Sequence, residues 1–183
     1  MNSLSKITVA CASIVLLASV ISSCNKPDVI TYSKEGSIYM PRAANGNSSL
    51  LLLLADTAQT TTFGASYGGL RYPSQDINVT FQVDPSLITN YNATHGTSYV
   101  LLPAPSYSIP SLMATIKAGE TGSNNLPLNI ITTNLDKAIK YILPVTLAST
   151  SSGFIDSSLR TTYFTVDTIR RLEKDITSMA TLS

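Results

Sequence analysis

The sequence predicts an all-β domain built as a β-sandwich, with one short helix set among the strands. Three observations carry this. Short apolar runs recur along the chain, separated by clusters of Pro, Gly, Ser and Asn such as "AGETGSNN" and "STSSGFIDSS", the punctuation of short strands in a sandwich. The stretch "INVTFQV" alternates cleanly, with Ile77, Val79, Phe81 and Val83 on one face and Asn78, Thr80 and Gln82 on the other, as a half-buried strand does. Charged residues make up only 13% of the 183, the formal net charge is +1, and Ser, Thr and Asn supply the polarity. A balance of that kind gives no basic footprint for nucleic acid.

The chain opens with a different signal. Residues 1–23 carry one charge at Lys6, an apolar run from Ile7 to Ile21 and the small pair Ser22-Ser23, the three regions of a secretory signal peptide. The run falls short of the roughly 20 apolar residues that span a bilayer. Ile21-Ser22-Ser23-Cys24 resembles the bacterial lipobox, which implies lipidation of Cys24 and cleavage before it. Removal of 23 of the 183 residues would leave 160, a size that suits one domain. Such a chain buries roughly 70% of its unfolded surface without staples. Cys11 would leave with the signal, so the remaining chain would form no internal disulfide. The expected partner of Cys24 is thus the membrane itself, reached through its lipid.

Residues 24–36, with Pro27 and Gly36 among polar neighbours, read as a lipidated flexible tether. The domain proper is expected over residues 37–168. "SIYM" opens it, followed by the run Leu50 to Leu54, whose even apolarity suggests a strand buried on both faces. "TTTFGASYGG" places Phe63, Ala65 and Tyr67 on one side. After "INVTFQV" the period changes. Asp84 caps a helix opening at Pro85, with Leu87, Ile88 and Tyr91 on one face and Gly96 as terminator. Further strands are expected around Tyr99–Leu102, Leu112–Ile116, Leu126–Thr132, Tyr141–Ala148 and Thr161–Val166. Pro144 points to an edge or a bulge in its strand. Residues 169–183 form a tail with Ile169, Leu172, Ile176 and Met179 at helical spacing, so a C-terminal helix is expected there.

The chemistry-bearing residues are few. His95 is the only histidine and stands beside Gly96 with no His, Cys or Glu set at ligand spacing, so a structural or surface role is expected and no metal or cofactor is implied. Gly64 and Gly68-Gly69 lack the Lys-Ser/Thr of a phosphate loop, and no Gly-x-Ser-x-Gly elbow occurs. No carboxylate pair is singled out for glycosidase chemistry. These features speak against an enzyme.

One loop stands out. "YGGLRYPSQD", residues 67–76, gathers Tyr67, Arg71, Tyr72, Gln75 and Asp76. Flat rings stack on sugar C–H faces while Arg, Gln and Asp bond hydroxyls, which makes these five the candidate glycan-binding residues. The bland alternative is a connection whose tyrosines cover the core edge. Three Asn-x-Ser/Thr sequons, at Asn47, Asn78 and Asn92, read as chance in an Asn- and Thr-rich chain. Asp56-Thr57-Ala58 and Asp167-Thr168-Ile169 resemble a short bacteroidete O-glycosylation pattern, with Thr57 and Thr168 as acceptors.

Spaced motifs carry a wider resemblance over roughly residues 37–167: Val83-Asp84, Tyr91-Asn92, Tyr99 to Pro103, Tyr107 to Ile109, Gly119, and Tyr141 to Val145 in "YILPVTLAST". This resembles the N-terminal domain of unknown function in bacteroidete surface lipoproteins. The resemblance implies an immunoglobulin-like β-sandwich and a place on the outer membrane beside glycan-capture systems, often ahead of carbohydrate-binding or chitinase-like modules. The sequence departs from that pattern by ending soon after the domain, so the functions of such modules are not carried over. Tyr91, Tyr99 and Tyr141 lie in apolar periodic contexts and are expected in the core. The expected function is a non-catalytic outer-membrane lipoprotein, a glycan-binding or adhesion accessory module at the cell surface with a polysaccharide ligand. The alternative is a structural or assembly subunit, fimbria-like or a partner of a larger outer-membrane protein complex.

Overall fold

The computed structural model describes residues 35–170. The signal peptide, Cys24, the tether up to residue 34 and the tail from residue 171 lie outside the described residues. Strands β1 (Ser37–Tyr39), β2 (Ser48–Leu53), β3 (Gln59–Phe63), β4 (Ser66–Gly68) and β5 (Ile77–Val83) precede the helix α1 (Leu87–His95). Then come β6 (Val100–Leu101), β7 (Tyr107–Ser108), β8 (Met113–Ile116), β9 (Leu126–Ile130), β10 (Tyr141–Thr150), β11 (Phe154–Ile155) and β12 (Thr161–Arg170). The largest sheet runs β2-β12-β10-β5-β8, with β6 also paired to β10; β3-β9-β7 and β11-β1-β4 form two smaller sheets. The architecture is mostly β, sandwich-like, with one α-helix among the described residues.

One apolar cluster draws side chains from all three sheets, among them Ile38, Phe63, Val79, Phe81, Leu128, Leu147 and Phe164. The Phe63 ring meets Phe81 edge-on at 5.1 Å and Phe164 at 6.1 Å, so β3 is joined to the largest sheet through aromatic contact. The alternation read in β5 holds: Ile77, Val79 and Phe81 are buried, Val83 half-buried, and Asn78 and Gln82 exposed. "TTTFGASYGG" also keeps its inward Phe63, Ala65 and Tyr67, but Gly64-Ala65 divides it between two sheets, β3 before and β4 after.

One expectation about strands is corrected, and another is met in one of its two alternatives. The leucine run is not buried on both faces: β2 is an edge strand with Leu51 65% exposed and only Leu52 fully buried. Pro144 lies not at an edge but in the central strand β10, and that strand carries the expected irregularity, a register shift between Leu147 and Ser149. The reason Pro144 is tolerated is geometric. The carbonyls of Ile142 and Pro144 accept from Leu102 N (3.0 Å) and Asp84 N (3.1 Å), on the side where β6 has ended and β5 begins. A strand residue's N–H and C=O point the same way, so the missing N–H of Pro144 faces the gap between those two strands and leaves no ladder acceptor unpaired.

The helix starts later than its signal: α1 begins at Leu87 with Ser86 at the N-cap, in place of the expected Pro85 and Asp84, while its end falls at Gly96 as expected. Asp84 Oδ1 accepts from the Ser86 amide at 3.1 Å and the Ser86 hydroxyl at 2.5 Å, which opens the first turn. Gly96 closes it at φ 62°, a left-handed position suited to glycine. Ile88 and Tyr91 are buried and pack with Tyr99 and Ile142 as a second apolar cluster. At the termini, Gly36 already bonds to Gly68 (3.0 Å) and Phe154 (3.0 Å), so residues 35–36 belong to the fold rather than to the tether. Ile169 is a buried residue of β12, which runs on through Arg170. The expected C-terminal helix thus does not begin at residue 169.

Candidate functional site

The loop after β4 is held on several sides. Glu35 turns its carboxylate back under the loop and accepts from the amides of Leu70 (2.8 Å) and Arg71 (3.2 Å). Tyr67 N bonds to Thr121 O at 2.8 Å, and Gly119 N to Pro73 O at 2.9 Å. Pro73 itself is buried beneath its exposed neighbours. At the far end, Asp76 takes the Lys117 ammonium on one oxygen at 2.7 Å and the Ala118 amide on the other at 2.9 Å. The Lys117 hydrogen bond, and after it the Ala118 amide, hold the Asp76 carboxyl below the usual carboxylate range. Lys117 is correspondingly raised by its bond to Asp76.

The loop forms one wall of a solvent-open depression of about 680 Å³, within the roughly 300–1,000 Å³ common for ligand sites. Tyr67, Arg71, Tyr72, Gln75 and Asp76 all line it. Their situations differ. Tyr72 is 67% exposed, whereas Tyr67 is half-buried, packs against the core and contributes one edge of its ring. Arg71 and Gln75 are exposed, and the Arg71 guanidinium makes no ion pair among the described residues. Asp76 serves first as the clamp to residues 117–118, although each carboxylate oxygen keeps a further lone pair.

Part of the lining was not read from the sequence. Glu35, Ser151 and Ser152 complete the depression. The Ser151 hydroxyl accepts from Asn78 N, and Ser151 N donates to Asn78 O, both at 2.9 Å, which fixes the turn after β10 against the start of β5. These residues lie 32 and more positions from the loop in sequence, and nothing local marks them as its neighbours.

The remaining candidates fall elsewhere. His95 is exposed at the helix end, stacked on the Tyr91 ring at 4.1 Å with its Nδ1 2.9 Å from Tyr91 O. Thr57 is exposed in the connection between β2 and β3, and Thr168 is exposed on β12. Tyr91, Tyr99 and Tyr141 are buried, as their apolar contexts imply. Asn92 of the Tyr-Asn pair explains that motif: its side-chain carbonyl accepts from Tyr99 N (2.9 Å) and Thr97 Oγ1 (2.9 Å), and its amide donates to Tyr99 O (2.9 Å).

With the fold and this depression in place, comparison gives the class. Residues 32–153 match the model of a family described as "-like, N-terminal domain", and the chain belongs to that family. Solved structures from Bacteroides share its fold. A candidate carbohydrate-binding protein of Bacteroides ovatus is similar at 20% identity with a TM-score of 0.60, over 73% of this chain and 37% of that one. EndoBT-3987 of Bacteroides thetaiotamicron, solved with a Man5GlcNAc product, is similar at 16% identity and a TM-score of 0.56, over 73% of this chain and 30% of that one. A multidomain protein of Bacteroides ovatus that includes DUF1735 is similar at 19% identity and 0.55, over 71% and 44%. The chain thus spans less than half the length of each of these three. No curated protein matches it. The resemblance carried by the tyrosine motifs, to an N-terminal domain of bacteroidete proteins, holds.

Proposed function

We propose that this chain is a non-catalytic glycan-binding accessory domain, held at the outer membrane by a lipid on Cys24, with the residue 67–76 depression as its binding surface. The observation that carries the reading is the convergence of Tyr67, Arg71, Tyr72, Gln75 and Asp76 on one open depression with the Tyr72 ring presented to solvent. Rings stack on sugar faces, and the guanidinium, amide and serine hydroxyls around them suit sugar hydroxyls. Its fold relatives, among them a candidate carbohydrate-binding protein and a protein solved with a glycan product, agree with this reading. The carboxylates of the depression speak against catalysis. Glu35 is engaged by two amides, and Asp76 is held below the usual carboxylate range, whereas a general acid at neutral pH needs a raised value.

The test is binding of the full-length chain to a panel of starch, xylan, yeast mannan, barley β-glucan and pectin. Tyr72→Ala should weaken the retained glycan by about 1–3 kcal/mol, the range for aromatic stacking on bases, and leave the melting temperature unchanged. A fall in melting temperature with no glycan bound by wild type would identify Tyr72 as packing.

The second reading, an assembly subunit, draws on β2, an edge strand with Leu51 exposed. Its edge is partly blunted, because the Gln59 side-chain amide bonds both Leu53 N (2.8 Å) and Leu53 O (2.7 Å). Crosslinking on intact cells tests it: a discrete crosslinked partner that disappears with Leu51→Lys would favour assembly.

A further inference from the structure

Tyr72 does not stand at the end of the depression. A second, smaller hollow of about 170 Å³ adjoins it, lined by Gly69, Leu70, Arg71, Tyr72 and Thr121. Arg71 and Tyr72 line both hollows, so this pair forms the wall between them. Leu70, 68% exposed, adds an apolar face on the smaller side. Gln75, Ser74, Ser151 and Ser152 supply the hydrogen-bonding groups on the larger side. The wall is held rigidly. Glu35 binds the Leu70 and Arg71 amides on one flank, and Pro73 is buried and bonded to Gly119 on the other. A site that pockets a chain end closes around one sugar; here Tyr72 is 67% exposed and shared by two solvent-open hollows.

We infer that the site takes an internal stretch of a glycan chain, at least three sugars long, with one sugar stacked on Tyr72 and its neighbours on either side in the two hollows, rather than a terminal sugar or a free monosaccharide. This rests on the glycan-binding reading above and adds the length and the position of the ligand. Pre-organisation of the wall means that each further sugar adds contact without a new ordering cost for the loop. Charge agrees with a ligand that need not be ionic. Asp76 is paired with Lys117, and Glu35, which binds the Arg71 backbone amide, brings a carboxylate to the same lining as the Arg71 guanidinium.

The experiment uses oligosaccharides of one, two, four and six units, prepared from whichever polysaccharide of the panel the full-length chain retains, with affinity measured by calorimetry. Affinity should rise at least about tenfold from the two-unit to the four-unit ligand, equivalent to about 1.4 kcal/mol, and then level off. Chemical capping of either chain end of the six-unit ligand should leave affinity unchanged. Leu70→Ser, a change of an exposed side chain that preserves the melting temperature, should weaken the four-unit ligand and spare the two-unit one. Equal affinity for two and six units, or loss of binding on capping one end, overturns the inference and leaves the glycan-binding reading standing. Retention of none of the polysaccharides overturns both.

Discussion

A single side chain joins the helix to the strand that follows it. Asn92 occupies the backbone groups of Tyr99 on both sides, and so sets Tyr99 where its hydroxyl donates to Asp167 at 2.5 Å. Burial, and after it the bond to the Asp167 carboxylate, push the Tyr99 hydroxyl up to about 12 from 10.0. A proton kept more tightly in the folded state means that stability is full below pH 10 and falls as pH rises from 10 through 12. Tyr99→Phe should therefore flatten that alkaline limb in denaturation curves taken between neutral pH and pH 12. Phe81 makes a second residue-scale contrast. Its ring is buried against Phe63, and Phe81→Ala should cost about 3–5 kcal/mol. Thr80→Ala on the same strand, at a half-buried position, should cost under about 1 kcal/mol. Urea titration of both variants separates them, and equal losses would mean that the strand's inward face has been misassigned.

At the scale of elements, what the sequence made legible depended on phase. β5 is readable because alternation assigns each residue a face, and the end of α1 because Gly96 marks it, whereas its start falls at Leu87 rather than at Pro85. The leucines of β2 carry no phase: an unbroken apolar run reads the same whether one face or two are covered, and only its neighbours decide. Pro144 leaves an edge and a bulge equally open, and β10 carries the irregularity; that the strand is central is not local information, since the proline is tolerated at the gap between β5 and β6, which are joined to it by no local signal. Close approach between distant elements is equally silent. Gly153, at φ 76°, passes so near Gly36 that an added Cβ would lie 2.3 Å from the Gly36 carbonyl oxygen, at the start of the parallel pairing of β1 with β11. Gly153→Ala should consequently lower the melting temperature measurably, through both the left-handed backbone and the clash. A Gly46→Ala control, also at positive φ but with nothing within 4 Å, carries only the backbone part. Equal shifts in the two variants would show that the approach to Gly36 contributes nothing.

For the whole molecule, the loop half of the candidate site is legible because its five residues fall within ten positions, while Glu35 and the Ser151–Ser152 turn are brought to it only by tertiary pairing. The proposed anchor stands in a similar relation to the fold, because Cys24 and Glu35 are only 11 positions apart. The loop that forms the depression is bonded to Glu35, near the end of the chain at which the lipid would be attached. One acyl chain holds a protein to a bilayer only marginally, at about 0.8 kcal/mol per buried CH₂, whereas two or more hold it stably. Cys24→Ser would remove the sulfur proposed to form the thioether, and with it every chain that a lipobox cysteine would carry. The expected outcome is release from the membrane fraction, with the melting temperature of the domain and its glycan retention unchanged, since the substituted residue lies before the folded sandwich. Sedimentation of membranes from cells producing each form measures it, and a Cys24→Ser chain that still sediments as wild type does would overturn the anchor. Protease treatment of intact cells then reports the face: digestion of wild type without lysis places the domain outside, and protection until lysis places it toward the periplasm.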